Sequence, residues 1–214
     1  MKGLFLYGLN CTCEVWSHII HYFLDIEVVY VEYPHTITKS ASNITDITKW
    51  VSDTYGSSHY DFVVGHSMGG IIALELAVEF NLSCRQIILI DTNLKPANEF
   101  YRNLLTPEHM KEYGNKIIEI MKVEDQYYQK NLKNSLQNDF DYTEYVKMAE
   151  QDIYAIYGDR GQEGYVNRIS DLCLWQSTVD KIKFLFIENA CHMPMIENPV
   201  ALARTISDII NIKK

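Results

Sequence analysis

Residues 61–80, DFVVGHSMGGIIALELAVEF, leave this chain few folds to choose from. An apolar run, Phe62-Val63-Val64, passes through Gly65-His66-Ser67-Met68-Gly69 and Gly70 straight into a helical pattern. A strand that turns at once into a helix holds the turn residue in a strained backbone conformation and projects its side chain from the end of a sheet. Glycine at 65 and 69 removes the Cβ atoms that would keep strand and helix apart. Ser67 then stands at a helix N-terminus, where free N–H groups and the helix dipole favour negative charge. Such a serine is placed to attack a carbonyl and to have an oxyanion form beside it. The plain alternative, a glycine-rich turn with an incidental serine, loses to the strand before it and the helix after it.

The same rhythm runs through most of the chain. Residues 3–7, 26–31, 86–90, 153–157 and 183–187 are short apolar runs, and helical patterns cover 14–24 and 44–55 and follow Asn198-Pro199. A further helix is expected within 165–175, and residues 32–42 read as a polar loop. Strands that are apolar throughout and alternate with helices indicate a parallel sheet covered on both faces. The expectation is therefore an α/β fold, a mostly parallel sheet of about six strands flanked by helices, forming one domain over residues 1–214. The rhythm breaks between 95 and 152, where no strand is visible. Thr106-Pro107-Glu108 starts a helix with proline at its first position. Met110, Tyr113, Ile117 and Met121 follow at helical spacing, then Tyr128, Leu132 and Leu136, then Tyr142, Tyr145, Val146 and Ala149. This stretch reads as a helical insertion between two strands, a cap or lid.

Composition narrows the function. A net charge of −9 with no basic cluster excludes nucleic acid and anionic membrane as partners, because phosphate contacts need clustered Lys and Arg. No apolar run approaches membrane-spanning length and the N-terminus lacks a signal-peptide pattern, so the expected location is the cytoplasm. The five cysteines are odd in number and scattered, which fits free thiols rather than a disulfide framework. Cys11, Cys13, His18 and His21 read as parts of a loop and a helix rather than as zinc ligands, and neither metal nor cofactor is expected.

A serine hydroxyl needs a base, and the base needs a carboxylate to orient it. His192 follows the last strand directly, which puts it at the same sheet edge as Ser67, where ligands bind in parallel α/β sheets. His66 precedes the serine and is expected to point away from it. Together these stretches resemble the α/β-hydrolase superfamily over nearly the whole chain. GHSMGG at 65–70 looks like its nucleophile turn, and CHMPMIENP at 191–199 like its histidine segment with Cys191 in place of glycine. LFLYGLNCTCEVW at 4–16 is similar to its oxyanion-loop segment, with Tyr7 where histidine is usual. Glu32-Tyr33-Pro34-His35 through Ser40 resembles a glycine-poor version of another family loop.

The resemblance implies that the family's first two strands are absent, and that the backbone N–H groups of Leu9 and Met68 form an oxyanion hole. It leaves two acids. The usual loop follows Tyr157-Gly158 and offers Asp159, although the position normally used holds Gly161. The accepted alternative, the end of the strand after the nucleophile helix, offers Asp91. Asp159 is preferred over Asp91, with Glu163 third; Asp159 is otherwise read as a surface partner of Arg160, and Asp91 as a cap on the insertion. Glu197 fits the family segment and is read as a backbone acceptor. The implied activity is cleavage of a small-molecule ester or thioester through an acyl-enzyme. A lyase or C–C bond hydrolase on a small metabolite, and a non-catalytic binding protein, remain as alternatives, since fold alone does not settle function.

Overall fold

The computed structural model describes residues 1–137 and 140–211. The stretch expected as one domain, 1–214, and the insertion expected at 95–152 include residues 138–139 and 212–214, which lie outside the described residues. The chain runs β1 (Lys2–Leu6), β2 (Glu27–Tyr30), α1 (His35–Ser40), α2 (Ile44–Tyr55), β3 (Tyr60–His66), α3 (Met68–Val78) and β4 (Cys84–Ile90). It continues through α4 (Pro107–Asp125), α5 (Lys130–Ser135), α6 (Thr143–Met148), β5 (Asp152–Gly158), α7 (Gln176–Val179), β6 (Ile182–Ile187), α8 (Pro194–Glu197) and α9 (Pro199–Ile210).

All six strands are parallel, in the order β2-β1-β3-β4-β5-β6. From β1 the chain crosses to β2 on one side, and from β3 it crosses to β4 on the other. The crevice beyond the C-terminal ends of β1 and β3 is therefore a switch point, the place where open α/β sheets bind ligands. The loop after β1 and the turn after β3 both open there.

Burial explains the central elements. α3 has no polar stripe because residues Met68 to Leu76 are all buried between the sheet and the outer helices. Its one carboxylate, Glu75, accepts hydrogen bonds from the hydroxyls of Thr45, Thr48 and Tyr145, which joins α2 and α6 to α3. α9 shows the opposite pattern, with Leu202, Ile206, Ile209 and Ile210 buried on one face. It starts as its sequence dictates: Asn198 accepts from the Ala201 N–H and Pro199 occupies the first turn. α4 starts in the same way, with the Thr106 side chain accepting from the His109 N–H.

Three local expectations are corrected. Residues 14–24 form no α-helix but two 3-10 turns, Cys13–Trp16 and Ile20–Phe23. The rings of Trp16 and Phe23 both pack on Phe5, at 5.2 and 5.8 Å, and the tighter turns let both reach it. The polar loop at 32–42 contains α1, because the Pro34 carbonyl accepts from the N–H groups of Ile37 and Thr38 and starts a helix where proline ended a strand. Within 165–175 there is only a 3-10 turn, Ser170–Leu172, and α7 begins after it.

The approach of α3 to the sheet is closest at Gly69, where an added Cβ would lie 2.2 Å from the Leu6 carbonyl oxygen. Both partners are backbone, so relief requires moving α3 off β1. Gly69→Ala is therefore expected to cost about 3 kcal/mol, at the upper end for overpacking, and to lower the melting temperature by roughly 6–12 °C for a chain of this size. Thermal denaturation of the purified variant measures this directly.

Candidate active site

Ser67 occupies the turn between β3 and α3 with φ 52° and ψ −120°, a left-handed conformation that a non-glycine residue adopts only when its surroundings impose it. The surroundings are specific. The Ser67 N–H donates to the Ile90 carbonyl at 3.0 Å. Its carbonyl accepts from the Gly70 N–H and from the Thr92 hydroxyl, at 3.0 and 3.1 Å. The side chain makes no cap on α3, which leaves the hydroxyl available at the sheet edge.

The loop after β1 reaches this turn. A Cβ at Gly8 would lie 2.9 Å from the Ser67 Cβ and 3.0 Å from His66 Nδ1, so only glycine lets the two segments touch. Leu9 follows in that loop, half-buried. Met68 is the first residue of α3, and a first-turn N–H has no acceptor within its own helix. The two residues named as oxyanion donors thus flank the serine on separate segments.

His192 arrives from the loop after β6. Its Nδ1 lies 2.9 Å from Asp91 Oδ1. An ionised carboxylate only accepts, so Nδ1 carries the proton and Nε2 is left with a lone pair. The backbone around the ring is held at both ends: the His192 N–H donates to the Leu104 carbonyl, and its own carbonyl accepts from His66 Nε2 at 2.9 Å.

His66 therefore supports His192, a role its sequence position did not announce. Its ring is buried and lies 4.8 Å from that of His192. Burial pushes its pKa down to about 3, with the neighbouring His192 adding to the effect, so the donor at Nε2 persists across the neutral range.

The acid is where the sequence reading is corrected. Asp91, at the end of β4, bonds His192; Asp159, the preferred candidate, does not. Asp159 Oδ1 accepts the N–H groups of Gly161 and Asn189 at 2.8 Å each and so ties the loop after β5 to the loop that carries His192. Nor does Asp159 pair with Arg160 at the surface. Arg160 is buried, with φ 58°, and turns back to grip Asp91 through Nη1 to Oδ2 at 2.7 Å and Nη2 to Oδ1 at 2.8 Å. Asp91 Oδ1 thus serves His192 and Arg160 together, while Oδ2 also accepts from the Gly158 N–H. Burial alone would raise the Asp91 carboxyl; the Arg160 charge and the hydrogen bonds from His192 and Arg160 outweigh it and hold the group well below the usual carboxylate range. The Arg160 guanidinium lies 4.4 Å from the Tyr101 ring centre, within cation–π distance.

The insertion bears on the same edge. Glu197 accepts from the N–H groups of Thr106 and Cys191 and faces His109 Nδ1 at 3.3 Å, which joins the start of α4 to the histidine segment. Asn10 Nδ2 donates to Asp125, and His35 Nε2 meets Glu124, so the far end of α4 is tied to the loop after β1 and to α1. Between α4 and the loop after β1 lies a cavity of about 200 Å³, lined by Cys11, Val15, Tyr113, Ile117, Met121 and Met193 among others. Of the insertion tyrosines only Tyr113 lines it; Tyr128 is buried and Tyr145 bonds Glu75. Among the described residues, no three His, Cys, Asp or Glu side chains converge as metal ligands, and no helix is long and apolar enough to cross a membrane.

The depressed His66 pKa has a consequence for stability. Between its unfolded value near 6.5 and about 3, the unfolded chain binds a proton that the folded chain excludes, so stability falls as pH falls through that window. Each such proton contributes a slope of about 1.4 kcal/mol per pH unit. His66→Gln keeps a donor for the His192 carbonyl but cannot titrate. Urea unfolding from pH 6.5 to 4 is expected to show a slope shallower than wild type by about that amount.

Comparison with known proteins agrees with this architecture. A family model for the alpha/beta hydrolase fold matches residues 34–112, which include the nucleophile turn. No curated protein sequence matches this chain significantly. Solved structures do. A thermophilic esterase from Thermogutta terrifontis has a TM-score of 0.74 at 14% identity, with 98% of this chain and 89% of the esterase covered. MenH from S. aureus gives 0.73 at 14% identity, covering 98% and 93%. Est816, described as an N-acyl homoserine lactone degrading enzyme, gives 0.68 at 10% identity, covering 97% and 92%. At these identities the likeness is one of fold. Six parallel strands in this order, a strained serine between β3 and α3, and the matched segment across them show that the chain has the alpha/beta hydrolase fold.

Proposed function

We propose that the protein is a serine hydrolase that cleaves an ester or thioester of a small molecule through an acyl-enzyme. The observation that carries the reading is the 2.9 Å bond from His192 Nδ1 to Asp91, made at the sheet edge where Ser67 stands on its strained turn. In this reading His192 Nε2 takes the Ser67 proton as Oγ attacks the carbonyl, and Asp91 holds the ring in the required tautomer and stabilises the imidazolium. The N–H groups of Leu9 and Met68 receive the developing oxyanion, a contribution of roughly 3–4 kcal/mol per donor. His192 then protonates the leaving group, and water, deprotonated by the same ring, releases the acyl group and regenerates Ser67. No step calls for a metal or an organic cofactor.

Several features support this substrate class. The cavity beneath α4 is mostly apolar and opens beside the residues following Leu9 and His192, a fit for part of a small organic substrate with the insertion as its lid. The net charge of −9 disfavours a polyanionic substrate. Esterases stand among the structural neighbours, and the five free cysteines suit a reducing compartment such as the cytoplasm. One observation favours a second reading, a ligand-binding protein without turnover: the charge of Asp91 is already paired with Arg160.

The two readings separate on one experiment. A fluorophosphonate probe is expected to label the native protein and not Ser67→Ala; an unlabelled native protein overturns the hydrolase reading. On an ester substrate, Asp91→Asn is expected to lose about 10⁴-fold in kcat, by analogy with the same change in a serine-protease triad. Asp159→Ala, which removes only a loop tie, is expected to lose less than tenfold while melting at a lower temperature. If the two losses are reversed, Asp159 and not Asp91 is the acid.

A further inference from the structure

We propose that Arg160 is a positioning residue that sets the lower pH limit of the site, by fixing the Asp91 carboxylate and offsetting its charge beside His192. The inference rests on the hydrolase reading for its activity assay, though the geometry behind it does not depend on turnover.

Asp91 Oδ1 is shared between two donors, His192 Nδ1 at 2.9 Å and Arg160 Nη2 at 2.8 Å, and Oδ2 is held by Nη1 at 2.7 Å. Both the Arg160 and the Asp91 side chains are essentially without solvent exposure, at 1% and 0%. A bidentate guanidinium fixes the plane of a carboxylate as a point charge cannot. Here that plane decides where Oδ1 meets the imidazole. Arg160 is itself held by the Gly158 carbonyl and faced by the Tyr101 ring, so the clamp does not swing.

The fixed guanidinium has an electrostatic effect of definite sign. A buried carboxylate alone beside an imidazole favours the imidazolium and keeps the pair protonated to higher pH. A guanidinium on that same carboxylate cancels much of this attraction and also repels a second positive charge on the ring. Both effects disfavour a second positive charge beside Asp91. On the hydrolase reading, removing the guanidinium is therefore expected to narrow the acid side of the activity profile.

Other groups face the pair. His66 approaches from β3, Cys191 adjoins His192 in its loop, and Tyr157 on β5 and Tyr101 from the insertion stand around Asp91 and Arg160. Burial pushes His66 down to about 3 and Cys191 up to about 12, and raises both tyrosines above the ordinary phenol range, which removes these four from the neutral window. Glu197 and Asp159, the nearby carboxylates on α8 and after β5, are each engaged by two backbone N–H groups and neither bonds His192.

The test is the pH dependence of the second-order rate of fluorophosphonate labelling at Ser67 in wild type, Arg160→Gln, Arg160→Lys and Asp91→Asn. Arg160→Gln is expected to move the acidic limb up by about one to two pH units, the range typical of a nearby opposite charge. Arg160→Lys, which keeps the charge and loses the fork, is expected to move it by less than half as much. Asp91→Asn leaves the cation unopposed and is expected to move the limb down. A limb in Arg160→Gln that stays in place while the plateau falls assigns Arg160 a purely structural role and overturns the proposal. Should Arg160→Gln fail to fold, an unmoved limb in Asp91→Asn overturns it equally. The same titration is followed by NMR on the downfield Nδ1 proton of His192 in the wild-type and variant proteins. That readout needs no turnover, so an unlabelled wild type sinks the hydrolase reading while leaving the role of Arg160 to be decided by the resonance.

Discussion

The turn at Ser67 holds the site together, and it holds because the end of β4 lies directly beside it. Three consecutive residues at and just past the end of β4 act on the site. The Ile90 carbonyl accepts the Ser67 N–H, the Asp91 carboxylate holds His192, and the Thr92 hydroxyl donates to the Ser67 carbonyl. The register that pairs His66 with Ile90 makes this possible, since it brings the last residue of β3 level with the last of β4. Strain at φ 52° is thus imposed by backbone pairing in the middle of a parallel sheet. Serine and acid are carried by adjacent strands, with little scope for relative movement.

Much of this was legible in the sequence, for identifiable reasons. The strands could be read because parallel strands covered on both faces carry continuous apolar runs, as at 87–90 in β4. The nucleophile turn could be read because glycine at 65 and 69 has a steric cause, visible in how closely α3 approaches β1. α2 could be read from apolar residues at helical spacing, Ile44, Ile47 and Val51, which are buried, and α4 from Thr106-Pro107, where the Thr106 side chain accepts from the His109 N–H. The segment 14–24 could not, since its geometry is set by two rings reaching Phe5, a contact that periodicity does not express.

Asp91 was ranked below Asp159 because its contacts are remote in sequence: His192 lies 101 positions away and Arg160 69. Asp159 and Arg160 are neighbours in sequence and invite reading as a solvated pair. The left-handed conformation of Arg160 sends its side chain inward, while Asp159 serves the two loops. A signal was present all the same. Asp91 follows a run of four apolar residues, 87–90, in a central strand, and a carboxylate fixed there must be buried and must find donors. The arginine one turn beyond the next strand was the available cation. His66 was missed for a similar reason: its bond to the His192 carbonyl spans 126 positions, and nothing local requires it.

A buried ion pair is poor evidence for stability, because removing both charges from water can cost more than their attraction returns. The Arg160–Asp91 pair is better understood through what each group would do without the other. Asp91 alone, fully buried against an imidazole, would take up a proton or draw one onto the ring, and either state disables the base. Arg160 alone would be an uncompensated buried cation. Together they keep the carboxylate ionised, planar and aimed, at the expense of some of its power to stabilise the imidazolium. On the proposed hydrolase reading the arrangement favours a fixed carboxylate orientation over full stabilisation of an imidazolium, which suits an acid placed just past β4, where the strand end already fixes it against Ser67.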